Sequence, residues 1–73
     1  MGLIDDIYMP FGIYGPGADY RVVGDVPSSY LRWCLEQDWF ERKYESLVEP
    51  FQEELEWRDR YDMHFNDAKE VKY

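Results

Sequence analysis

The chain has 73 residues, 16 of them acidic and 8 basic, and a net charge of −8. This length allows one domain, and its single cysteine excludes an internal disulfide. The acidic balance argues against direct binding of nucleic acid or an anionic membrane, because both require clustered Lys and Arg. No apolar run approaches the ~20 residues of a membrane span and no leader pattern opens the chain, so we expect a cytoplasmic protein.

The segment 8–24 mixes glycine and proline with aromatic and β-branched residues. This mixture predicts a β-hairpin with strands near 8–14 and 20–23 and a plain turn over 15–19. The edge near Tyr20, Arg21 and Val22 is a candidate partner-binding site, because an open strand edge can pair with another chain.

The first predicted helix covers residues 27–37. Pro27 suits a first helical turn, and Leu31, Cys34 and Leu35 share one face at the i, i+3, i+4 spacing. We expect Cys34 to be a small buried apolar residue.

The second predicted helix is long and amphipathic and extends to about His64, where the imidazole compensates the helix dipole. A capping box at Ser46–Glu49 indicates one start, and the alternative is a start near Trp39 with a kink at Pro50. The expected fold is therefore α+β: a small β-hairpin packed against two α-helices. The single domain spans 1–65, and the tail 66–73 frays.

Helical projection of the second helix separates an apolar arc from an acidic stripe. The stripe consists of Glu45, Glu49, Glu53 and Glu56. Like charges at these spacings destabilise a helix, so the stripe indicates either a face for a basic partner or an ordinary solvated surface. Glu54 and Arg58, on the apolar side, are expected to form a structural ion pair at the core edge.

The residues provide no catalytic, metal or cofactor set. Asp5 and Asp6 lie near the start of the chain, and Glu53 and Glu54 point about 100° apart on a helix. One histidine and one cysteine allow neither a Cys/His zinc site nor a nucleophile–base arrangement. We therefore expect a non-enzymatic protein without a cofactor.

Three motifs carry a family resemblance. Residues 9–15 read Met-Pro-Phe-Gly-Ile-Tyr-Gly, residues 26–33 read Val-Pro-Ser-Ser-Tyr-Leu-Arg-Trp, and residues 54–58 read Glu-Leu-Glu-Trp-Arg. They resemble small bacterial and phage proteins labelled quorum-sensing-regulated virulence factors, and the small module attached to exonucleases of the exonuclease X type. The resemblance implies an α+β module with Phe11, Tyr30, Leu31 and Trp33 as framework.

The chain departs from that family at its basic positions. Ile13 stands where the family usually has Lys, so residues that would touch nucleic acid are missing. Length and acidity also resemble small phage regulators that bind the largest subunit of host bacterial RNA polymerase and inhibit or antiterminate transcription. The resemblance thus implies a phage-encoded regulator. The acidic charge indicates that its partner has a basic protein surface, and we expect the free protein to be a monomer.

Two other functions stay open on the sequence. One is a nucleic-acid accessory module, in which four basic residues would have to cluster on one face: Arg21, Arg32, Arg42 and Lys43. The other is an acidic mimic of DNA that inhibits a host DNA-binding protein.

Overall fold

A computed structural model describes residues 2–65 of the chain. Three α-helices follow two short 3₁₀ turns. The turns are Gly12–Tyr14 and Val23–Asp25, and the helices are α1 Ser28–Leu35, α2 Asp38–Lys43 and α3 Glu45–Tyr61. Each helix packs against the other two, and the second turn lies against α3. The prediction for the tail 66–73 lies outside the described residues.

The predicted α+β class is wrong. Residues 2–65 contain no strand, and the hairpin over 8–14 and 20–23 does not form. The two segments meet at one antiparallel bridge, Tyr8 to Val22. There the Met9 N–H donates to the Arg21 carbonyl at 2.9 Å, and the Val23 N–H donates to the Ile7 carbonyl at 2.8 Å. The Arg21 N–H also donates to the Tyr14 carbonyl at 3.1 Å, but no second bridge or strand forms among the described residues. The described domain is therefore helical, with an irregular first third.

Glycine conformations and one buried ring explain why the pairing stops. Gly12 and Gly17 have φ angles of 76° and 84°, which turn the chain away from an extended path. Tyr14 is 2% exposed, and its ring meets that of Tyr30 in α1 edge-on, with 5.0 Å between centroids. Burial of Tyr14 against α1 accompanies the 3₁₀ turn, so tertiary packing outweighs local β-propensity.

The first predicted helix is confirmed, since α1 lies within the predicted range 27–37. Pro27 precedes it as the N-cap residue. Leu31 and Cys34 are fully buried and Leu35 is half-buried, as their shared face predicts. The buried core combines the irregular segment with all three helices: Met9, Tyr14, Val23, Val26, Tyr30, Leu31, Cys34, Phe40 and Phe51.

Of the two predicted starts of the second helix, the one at Ser46 lies one residue from the observed start of α3 at Glu45. The alternative, one continuous helix from near Trp39, is wrong, because that stretch forms two helices. Tyr44, with φ −127° and ψ 47°, separates α2 from α3. Because α3 begins at Glu45, Ser46 lies inside the helix and the Ser46–Glu49 capping box does not form. Pro50 also lies inside α3, where its missing N–H leaves the Ser46 carbonyl without a helical donor.

Helix α3 ends at Tyr61, earlier than the predicted end near His64. Asp62 adopts the left-handed conformation at φ 54°, and the Met63 N–H donates to the Arg58 carbonyl at 2.9 Å, which closes the helix. The chain then turns back toward α1, where the Phe65 carbonyl accepts a hydrogen bond from the Ser28 N–H at 3.1 Å. This contact satisfies a backbone donor in the first turn of α1 that has no partner within the helix.

Candidate protein-binding site

Four exposed glutamates form one side of α3, hereafter the acidic face: Glu45, Glu49, Glu53 and Glu56. Each lies three or four residues from the next, so their side chains are neighbours on the helix. Within residues 2–65, no ion pair involves any of the four. Phe51 is buried, and Leu47 and Leu55 pack against the core. The acidic face is therefore an unrelieved run of negative charge on a well-anchored helix.

A hollow of about 310 Å³ borders the acidic face, hereafter the Leu3–Trp57 hollow. Its lining comes from the first residues of the chain and the second half of α3: Leu3, Glu53, Glu56, Trp57 and Arg60. The Tyr61 ring packs on that of Trp57, with 5.6 Å between centroids. Leu3 is 46% and Tyr61 57% exposed, so large apolar side chains and carboxylates share one surface.

This hollow was not predicted from the sequence, although the helical spacing of two of its lining residues indicates one part of it. Trp57 projects about 40° from Glu53 on the helical projection, which predicts that the indole and the carboxylate are neighbours. Leu3 gave no such signal, because an N-terminal segment without periodicity is expected to be loose. In the structure the segment is tied down, since the Ile4 N–H donates to Glu54 Oε1 at 2.8 Å and the Ile4 carbonyl accepts from the Gly24 N–H at 2.6 Å.

The candidate edge residues Tyr20, Arg21 and Val22 already use much of their backbone within the chain. The Tyr20 and Arg21 N–H groups donate to the Ala18 and Tyr14 carbonyls, and the Val22 carbonyl accepts from the Asp25 N–H. Their side chains differ in access: Tyr20 is 52% exposed, whereas Arg21 and Val22 are half-buried. The described geometry therefore favours side-chain contact through Tyr20 over strand pairing.

A second hollow, of about 360 Å³, is mostly aromatic and lies beside α2. It is lined by Phe11, Trp39, Lys43 and Tyr44. The Phe11 ring lies 4.9 Å from that of Tyr44 and 5.3 Å from that of Trp39. Phe40, next to Trp39, is fully buried instead. Phe40 is thus a core residue, whereas Trp39 and Trp57 are half-buried and each lines one of the two hollows.

The predicted Glu54–Arg58 ion pair forms and is more deeply buried than expected. Glu54 Oε2 accepts from Arg58 Nε at 2.7 Å, and the two residues are 0% and 1% exposed. The rest of the guanidinium donates to Ser28 Oγ at 2.8 Å and to the Gly24 carbonyl at 3.1 Å. This pair is a structural centre and takes no part in the acidic face.

A Ser–His–Asp series adjoins that pair, which the sequence did not predict. The Ser28 hydroxyl lies 2.7 Å from His64 Nδ1, and His64 Nε2 contacts Asp59 Oδ1. A nucleophilic serine must be reachable by substrate. Ser28 is 1% exposed, and its oxygen also accepts from Arg58. The series therefore favours a structural role, in which His64 fastens the residues after α3 to the start of α1.

The basic residues named for nucleic-acid binding differ in their burial and in the contacts that they make within the fold. Arg21 is half-buried, donates to Asp19 Oδ2 at 2.6 Å and lies over the Tyr14 ring at 4.8 Å. Arg32 is exposed on α1, and Arg42 and Lys43 are exposed on α2. Arg21 is thus engaged within the fold, which weakens the clustered basic face that the accessory-module hypothesis requires.

Comparison with known proteins adds no relative: no family model, curated protein or solved structure matches the chain. Among residues 2–65, no three His, Cys, Asp or Glu side chains are grouped to hold a metal ion. No helix in that range is long and apolar enough to cross a membrane.

Proposed function

We propose that the chain is a non-enzymatic, phage-encoded regulator that acts in the host bacterial cytoplasm by binding a basic protein surface. Its partner, on this proposal, is the largest subunit of host RNA polymerase, and the consequence of binding is inhibition or antitermination of transcription. The observation that carries the binding mode is the acidic face, with its four exposed glutamates. The partner's identity rests on the sequence resemblance alone.

The acidic face supports this mode because its arrangement is unfavourable for the free protein. Like charges three or four residues apart destabilise a helix, and no ion pair within residues 2–65 relieves them. A basic partner surface would relieve the repulsion on binding. It would also speed association, since complementary fields steer diffusional encounter.

Binding of purified bacterial RNA polymerase to the immobilised full-length chain tests the proposal. Reversing two charges in the acidic face, with Glu49→Lys and Glu53→Lys together, should weaken binding about tenfold or more and flatten its salt dependence. The matched control is Glu36→Lys with Glu41→Lys, which changes net charge equally at exposed positions outside α3. The control should retain more of the wild-type affinity, because its charges lie outside the contact.

Three results would overturn the proposal in different parts. No binding of RNA polymerase by the wild-type chain removes the named partner. Equal loss in the two charge-reversed variants reduces the acidic face to a contribution through net charge. Retention of short DNA at low salt by the wild-type chain, abolished by Arg42→Glu, would transfer the function to the accessory-module hypothesis.

A further inference from the structure

We propose that the Leu3–Trp57 hollow receives an arginine side chain of the protein partner. This inference rests on the proposed function and deepens it, because it gives the acidic face a specific contact. The hollow combines an indole, an aliphatic side chain and the carboxylates of Glu53 and Glu56 within about 310 Å³.

Two walls of the hollow, at Leu3 and Trp57, are anchored within the fold, while the side chains of Glu53, Glu56 and Arg60 are exposed. Leu3 is held by its neighbour Ile4, whose N–H and carbonyl both bond to other segments, at Glu54 and Gly24. Trp57 is half-buried and its ring packs on that of Tyr61. Anchoring of these two walls reduces the conformational entropy lost on binding, so the hollow is suited to hold one side chain.

The side chains that line the hollow favour a guanidinium over an ammonium or an apolar group. A planar cation gains from lying over the face of an indole, and its fork of N–H donors matches carboxylates. Glu53 and Glu56 stand three residues apart beside Trp57 and line the same hollow, so one guanidinium has both kinds of contact available. An ammonium lacks the planar fork, and an apolar side chain would desolvate the carboxylates without pairing them.

Among residues 2–65, Arg60 is the one cation that lines the hollow. It follows Glu56 by four residues, a spacing at which its guanidinium can reach that carboxylate, although the two form no ion pair in the structure. An incoming arginine would therefore compete with Arg60 for Glu56. The proposal therefore predicts that Arg60→Gln tightens the binding of an arginine peptide about threefold to tenfold. A merely surface-wide acidic field would respond to this change far less, because salt screens distant charges.

The test is a titration of the ¹⁵N-labelled full-length protein with a capped arginine–glycine peptide, followed by NMR. The Trp57 indole N–H resonance, assigned with Trp57→Phe, should shift, whereas those of Trp33 and Trp39 should not. A citrulline–glycine peptide preserves the shape without the charge and should not bind. A lysine–glycine peptide preserves the charge without the fork and should bind about tenfold more weakly.

Matched charge removals separate this inference from the proposed function. Glu53→Gln with Glu56→Gln should weaken the arginine peptide about tenfold, whereas Glu45→Gln with Glu49→Gln, an equal charge change on the same face, should leave affinity within about twofold. Equal losses of affinity in the two double variants, together with equal affinity for the lysine and arginine peptides, would overturn the proposal that the hollow receives an arginine. The proposed function would not be affected by that result. RNA polymerase binding that neither pair alters would overturn the proposed function itself.

Discussion

The guanidinium of Arg58 contacts segments that are far apart in the sequence. It donates to Glu54 one turn earlier, to Ser28 at the start of α1, and to the Gly24 carbonyl in the second 3₁₀ turn. Glu54 in turn accepts the Ile4 N–H. One buried pair thereby fastens the N-terminal segment, the turn, α1 and α3. Such a pair contributes to stability only while both members are present, because each alone is a buried charge.

Arg58→Met should therefore destabilise the fold severely. It leaves the Glu54 carboxylate buried without its cation, which costs about 3–5 kcal/mol, a large part of the stability of a small domain. Urea unfolding followed by tryptophan fluorescence measures the loss. The double variant Glu54→Gln with Arg58→Met should be more stable than Arg58→Met alone, because the orphaned charge is gone. A double variant that is no more stable would contradict this account.

Cys34 gives the fold a distinct response to alkaline pH. Burial raises the pKa of its thiol to about 12 from 9.0, because desolvation disfavours the thiolate. Above the unfolded-state pKa, the unfolded chain loses the thiol proton while the folded chain keeps it. The free energy of unfolding should then fall as pH rises from about 9 toward 12, by up to ~1.4 kcal/mol per unit.

Unfolding of the wild type and of Cys34→Ala across this pH range isolates the contribution of the thiol. Tyrosines and lysines titrate in both proteins, so the difference between the two slopes belongs to Cys34. The wild type should have the steeper decline, and parallel slopes would show that the thiol ionises equally in both states. Folded wild type should also resist alkylation by iodoacetamide until it is unfolded.

Among the elements, the loop before α1 depends on two glycines for different reasons. Gly17 has φ +84° and open space around its Cβ position, so Gly17→Ala pays only for the left-handed backbone, about 1 kcal/mol. Gly15 has an ordinary φ of −100°. A Cβ there would lie 2.6–2.7 Å from backbone atoms of Phe11, so Gly15→Ala should cost more, about 2–3 kcal/mol. Urea unfolding compares the two variants, and a larger loss at Gly17 would contradict the close packing.

The helices illustrate which elements a sequence can predict. Leu31 and Cys34 in α1 and Phe51 in α3 are buried as helical periodicity predicts. The break at Tyr44 has no such signal, because the residues on both sides of it suit a helix. The hairpin failed because Tyr14 is buried against Tyr30, sixteen residues later, and no local pattern encodes that contact. The contact of His64 with Ser28 was not predictable for the same reason, since the two residues lie 36 positions apart.

The candidate site likewise contains one part that could be predicted from the sequence and one part that could not. The acidic face was predictable because all four members lie on one helix, where spacing alone determines the face. The Leu3–Trp57 hollow was not, because Leu3 reaches α3 through Ile4, which bonds Glu54 across fifty residues of sequence. A site that joins two distant segments becomes visible only once the tertiary contacts are known.

At the scale of the whole molecule, the acidic face is expected to lower the stability of the free protein while it promotes the binding of a basic partner. The chain carries a net charge of −8, and self-repulsion of a highly charged protein weakens its compact state. Glu49 has like-charged neighbours at Glu45 and Glu53, each one helical turn away. It lies beyond the first turn of α3, so it gains little from the helix dipole, which favours carboxylates in the first turn. Neutralising the centre of the face should therefore stabilise the free protein while it weakens capture of a basic partner.

The variant Glu49→Gln with Glu53→Gln tests this opposition directly. It removes both i, i+4 repulsions of the acidic face, each about 0.2–0.5 kcal/mol, so its free energy of unfolding at low salt should exceed that of the wild type. The excess should shrink at high salt, because screening already relieves the wild type. Glu36→Gln with Glu41→Gln removes equal charge outside α3 and should stabilise less. Equal gains in the free energy of unfolding would mean that stability responds to net charge and not to the spacing of the glutamates. A decrease on neutralising Glu49 and Glu53 would mean that their carboxylates stabilise α3.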